Sequence, residues 1–142
     1  MVTGVSHTYD QILRTWLKSI RVSRVATDDA DRAMRLQAIE KGNRLSWASD
    51  EINDAVYDDA PATGWQMVVG LIGVARDDDA LSWIGAGPLE NFIGKHGIAW
   101  IDVIERDAAN DPQIRRALRS SWQGGTPPDI FRRIKRAAGE TA

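Results

Sequence analysis

Cysteine is absent from the 142-residue chain. That excludes disulfides, thiol nucleophiles and thiolate metal sites, and it fits a reducing, cytoplasmic setting. No apolar run approaches the roughly 18 residues a membrane-spanning helix needs. The first nine residues lack a basic segment leading into an apolar core, so a signal peptide is not expected either. Histidine is scarce, with His7 and His96 the two copies. There is no Gly-x-Ser-x-Gly elbow, and a Ser–His–acid triad would have to join His96 to Ser82 or to a distant serine. Helical metal spacings of the Glu-x-x-His or His-x-x-x-His kind are also missing. No stretch alternates apolar and polar residues with the period of a strand. Catalytic residues, metal ligands and cofactors are therefore not assigned from sequence.

Charge is nearly balanced at −2 but unevenly placed. Residues 28–59 carry nine acidic and four basic side chains, whereas residues 113–142 carry seven basic and two acidic ones. Such an asymmetry marks either an interaction face or simply two solvated faces. Tryptophan is abundant, with six copies, and Trp47, Trp65, Trp83, Trp100 and Trp122 follow one another at intervals of 18, 18, 17 and 22 residues. A short helix and its turn occupy about that length, which suggests stacked helices that each lend one Trp to a shared core.

Apolar spacing predicts an all-α fold, a compact, repeat-like bundle of about seven or eight short helices in one domain spanning residues 1–142. Tyr9, Ile12, Leu13, Trp16, Leu17 and Ile20 make a helical stripe that starts near Ser6 or His7. A second helix is expected from Asp31 to Lys41, with Asp28 and Asp29 favourable at its N-terminus. Gly42-Asn43 then interrupts the chain before a third segment from Leu45 to Val56. Pro61 suits the first turn of a helix reaching Ala75, and Asp77 or Asp78 caps a short helix ending at Gly85. Pro88 opens another ending near Gly94, followed by Ile98 to Ala109. Asp111-Pro112 is an N-cap and first-turn pair. After the Gly124-Gly125-Thr126-Pro127-Pro128 loop, Asp129 begins a basic helix over about 129–138.

Gly85-Ala86-Gly87 has the look of an anion-binding turn. It lacks the Gly-Lys-Ser/Thr continuation and the preceding strand of a phosphate loop. The expectation is that Gly85 ends a helix in a left-handed conformation and Pro88 starts the next. On a helix from Ile98 to Ala109, Glu105 falls among Ile98, Ile101, Ile104 and Ala108, and Asp102 lies at the margin. A carboxylate so placed needs a donor; His96, Arg115 and Arg116 are the candidates nearby in sequence. Glu90, His96, Asp102 and Glu105 thus form either a small polar pocket for a ligand or metal, or a network knitting short helices together. In the last helix, Phe131, Ile134, Ala137 and Ala138 oppose Arg132, Arg133, Lys135 and Arg136, a pattern suited to docking with a solvated basic face. Together with Arg115, Arg116 and Arg119, these residues also form a candidate nucleic-acid face.

The run Gly85-Ala86-Gly87-Pro88-Leu89-Glu90, with His96-Gly97, Ile101-Asp102, Ile104-Glu105, Asp111-Pro112, Ala117-Leu118 and Trp122, resembles a bacterial domain family of unknown function. Trp65 after Pro61 is similar to that family's preceding helix. The resemblance covers about residues 60–123, leaves out the final helix, and implies a short helical bundle without implying an activity. Three functional readings follow. The leading one is a small bacterial module that binds another protein, as an accessory, inhibitor or immunity-type partner. The second is a ligand- or metal-binding helical protein, even an enzyme, using Glu90, His96, Asp102 and Glu105. The third is association with nucleic acid through the basic C-terminal residues.

Overall fold

The computed structural model describes residues 7–27 and 32–140. Among them are seven α-helices and one π-helical turn, with no strand. The all-α expectation holds, although three of the helices are long. The helices are α1 (Tyr9–Thr27), α2 (Arg32–Val56), α3 (Pro61–Val74), α4 (Asp78–Ile84), α5 (Glu90–Asn110), α6 (Pro112–Leu118) and α7 (Pro128–Ala137), with the π turn at Gly85–Leu89. Two compact units emerge, Met1–Ile52 and Asn53–Ala142, with the boundary inside α2.

In the first unit, α1 begins at Tyr9, two or three residues later than the sequence suggests, because Thr8 and Gln11 form a reciprocal cap. Thr8 Oγ1 accepts from Gln11 N at 3.1 Å, and Gln11 Oε1 accepts from Thr8 N at 2.8 Å. Ile12 and Leu13 are buried, while Trp16, Leu17 and Ile20 are half-buried. Gly42-Asn43 does not interrupt α2, and the two expected segments are one helix. A glycine inside a helix costs only about 1 kcal/mol relative to alanine, and good helix formers flank it. Asp28 and Asp29, expected at this helix's start, lie outside the described residues.

The second unit takes in the end of α2 and then α3, with Pro61 in the first turn and Trp65, Val68, Leu71 and Ile72 buried. Asp77 caps α4, its Oδ1 accepting from Ala80 N at 2.8 Å. The chain then departs from the expected break. Gly85 is right-handed (φ −62°), and α4 runs through the π turn into α5. Pro88 has no N–H to give and crowds the carbonyl four residues back, and the wider π spacing accommodates both defects without ending the helix. Gly85 is required for another reason. A Cβ there would lie 1.9 Å from the Ala117 carbonyl oxygen, so the end of α6 approaches this turn more closely than any side chain allows. Ser121 Oγ seals the approach by donating to the Gly85 carbonyl at 2.6 Å.

Gly94 does not end a helix either, and α5 is continuous from Glu90 to Asn110. Phe92 is fully buried at the unit's centre, with the rings of Trp65 and His96 both 5.2 Å away and Trp100 edge-on at 6.1 Å. Trp65 Nε1 donates to Asp107 Oδ2 at 2.7 Å, tying α3 to α5. Asp111 caps α6 as expected, accepting from Gln113 N at 2.9 Å. α7 packs along α5 and buries Ile130 and Ile134. The idea of one core tryptophan per helix does not survive. Trp65 is buried, Trp47, Trp83 and Trp100 are half-buried, and Trp122 is 76% exposed.

Candidate functional site

Glu90, His96, Asp102 and Glu105 all project from α5, but they take different partners. Glu90 Oε1 accepts the backbone N–H of Trp122 at 2.7 Å, which fixes the chain just after α6. His96 is buried, with Nε2 3.0 Å from the Asp58 carbonyl oxygen. Facing a carbonyl, that nitrogen must carry the proton. Glu105 is ion-paired, as its position among apolar residues requires. Its partner, however, is neither His96, Arg115 nor Arg116 but Arg133 of α7. Arg133 Nε donates to Glu105 Oε2 at 3.0 Å and Nη2 to Oε1 at 2.5 Å, while Nη2 also reaches Asp102 Oδ1 at 2.7 Å. The two-pronged bond from Arg133 holds the Glu105 carboxyl below its ordinary range, against the opposing effect of burial. Ile98, expected on the same buried face, is 68% exposed. Among the described residues, no three His, Asp or Glu side chains gather as metal ligands.

The basic residues are likewise engaged one by one. Arg115 Nη1 donates to the Ala108 carbonyl at 2.8 Å and so closes the end of α5. Arg116 Nη1 lies 3.3 Å from Gln113 Oε1 and 3.6 Å from Asp78 Oδ1. Arg119 Nε donates to the Ala138 carbonyl at 3.0 Å. Lys135 bonds Glu140 at 3.0 Å and sits 5.4 Å from the centre of the Phe131 ring. Arg132 and Arg136 point outward and are exposed.

A cleft of about 400 Å³ opens where the start of α5 faces the chain after α6. Glu90, Asn91, Gly94 and Lys95 form one wall, Gln123 to Thr126 the other, and Tyr57 the rim. The second wall is a closed turn. Thr126 N donates to the Gln123 carbonyl at 2.9 Å, and Gln123 Nε2 donates to the Thr126 carbonyl at 3.1 Å. Gly124 has φ +51°, a left-handed backbone that glycine tolerates at least cost. Lys95 Nζ is held by the Tyr57 carbonyl at 2.7 Å and Asp59 Oδ1 at 3.3 Å. Trp122 precedes this turn, its backbone pinned by Glu90 and its indole in solvent. Sequence reasoning singled out Glu90 and the Gly124-Gly125 loop but missed Asn91, Lys95, Gln123 and the exposure of Trp122. The doublet of glycines directly after a tryptophan was the available signal.

No helix among the described residues is long and apolar enough to cross a membrane. No curated protein and no solved structure matches the chain. A match to a family described as "Family of unknown function (DUF6869)" runs from residue 35 to residue 141, and it takes in the final helix that the resemblance had left out. It covers well over half of the sequence and every residue of the cleft, and the chain belongs to that family.

Proposed function

We propose that this protein is a small cytoplasmic, bacterial interaction module, of the accessory or inhibitor kind, that takes an extended segment of a partner protein into the cleft between α5 and the 123–126 turn. The observation that carries the reading is Trp122. Its backbone is fixed by Glu90, a residue of the cleft wall, while the residue as a whole stays 76% exposed. A large exposed aromatic group on a fixed backbone offers a partner much apolar area to cover, and such residues anchor interfaces. The cleft supplies the complementary polar chemistry. Asn91 and Gln123 carry amides, and Gly124 and Gly125 leave backbone groups uncovered, so the surface suits peptide bonds. The one cation of the lining, Lys95, and the one acid, Glu90, are both bonded within the protein, so the cleft favours no charge. Absence of cysteine agrees with a cytoplasmic setting.

Selection of random displayed peptides on the purified protein tests this. Retained peptides are expected to lose at least about tenfold in affinity for Trp122→Ala, a typical anchor effect, and to be unaffected by Arg106→Ala on the far part of α5. Failure to retain any peptide, or retention indifferent to Trp122→Ala, overturns the reading.

A further inference from the structure

A second hollow, of about 270 Å³, lies where α4 faces the end of α6. Arg116 and Arg119, one turn apart, form one side, with Ser120 beside them and Ser82 and Asp78 opposite. Arg119 is held by its Nε bond to the Ala138 carbonyl, which orients the guanidinium. Arg116 uses one nitrogen, Nη1, for Gln113 Oε1 at 3.3 Å and for a loose ion pair with Asp78 at 3.6 Å. Among the described residues, no hydrogen bond ties down the hydroxyls of Ser82 or Ser120. Two guanidinium groups, each with one nitrogen engaged and others left over, and two hydroxyls around one space form a donor set too rich for a single carboxylate. It matches the several oxygens of a tetrahedral dianion.

We propose that this hollow binds the phosphoryl group of a small phosphate monoester, with Arg116 and Arg119 taking its oxygens and Ser82 and Ser120 donating to them. Asp78 occupies the approach as an internal rival for Arg116. The proposal is independent of the peptide cleft. Its signature is an asymmetry: removing a cation weakens binding, and removing the neighbouring acid strengthens it.

Titration of the labelled 142-residue protein with inorganic phosphate and with glycerol 3-phosphate, followed by amide and arginine Nε resonances at constant ionic strength, provides the test. Saturable shifts confined to Ser82, Arg116, Arg119 and Ser120 are expected, with millimolar affinity for phosphate alone and tighter binding of the monoester. Arg116→Gln, at an exposed position, should weaken binding about tenfold or more. Asp78→Asn should tighten it severalfold, and Trp122→Ala should leave it unchanged. No saturable shift up to about 20 mM phosphate, shifts spread over Arg132 and Arg136 as in general screening, or an Asp78→Asn variant that binds no better would each overturn the proposal.

Discussion

The helices α2 and α5 are the two longest among the described residues, at 25 and 21 residues, and each carries a glycine where the sequence suggests a stop, Gly42 and Gly94. Neither stops, but for different reasons. α5 buries Phe92, Ile93, His96, Gly97, Ile101, Ile104 and Ala108, so surrounding helices hold its glycines in register. In the first half of α2 Ala38 is the one buried residue among those described. Leu36 and Ile39 are exposed, and continuity rests on good helix formers and on i,i+4 pairs such as Glu40 with Arg44 at 3.9 Å. A helix interrupted by glycine is sustained by packing in one case and by local preference in the other, and the two should respond differently to the same substitution.

Gly85→Ala is the severest form of that substitution. The added Cβ meets the Ala117 carbonyl at 1.9 Å, and backbone cannot swing aside as a side chain does. A loss of about 3 kcal/mol or more is expected in urea unfolding; a loss below about 1 kcal/mol would show that α6 can retreat freely. Next comes Glu105→Gln, which removes the charge from the Arg133 clasp on α5. The pair is partly solvent-exposed, so a cost of about 1 kcal/mol near neutral pH is expected. Because the folded protein holds the Glu105 carboxyl below its ordinary value of 4.5, its contribution is complete above that pH and is lost as pH falls through the depressed value. The gap between parent and variant should therefore narrow in acid, and a gap that widened there would reverse the assignment. The smallest effect, opposite in sign, belongs to Gly42→Ala. Its Cβ would rest 3.7 Å from Val22 Cγ1, an ordinary contact, so a gain of about 0.5–1 kcal/mol is expected. Destabilisation at this position would mean that α2 depends on packing after all.

The same contrast explains what was legible in the sequence. Pro61, Asp77 and the Asp111-Pro112 pair mark helix starts correctly because capping is a local matter, settled within three residues. The stops assigned to Gly42, Gly85 and Gly94 fail because a local cost near 1 kcal/mol is small beside what neighbouring helices contribute. The need of Glu105 for a donor follows from its position among apolar residues, yet its donor, Arg133, is 28 residues away on another helix. Periodicity places Ile98 and Trp122 on apolar faces but says nothing about whether another element arrives to cover them. The cleft draws on α5, the 123–126 turn and Tyr57, segments that only tertiary structure brings side by side.

The π turn at Gly85–Leu89 has a consequence for phase. A π turn equals one residue inserted into an α-helix, and one residue is about 100° of rotation. Counted at that angle, Phe92 and His96 would sit well to one side of Ile84; with one residue's rotation absorbed at the turn, all three fall on one buried face. The extra residue therefore keeps the dry stripe of α4 in phase with the start of α5 across Pro88, and the ordinary periodicity of α5 then turns Asn91, Gly94 and Lys95 toward the cleft.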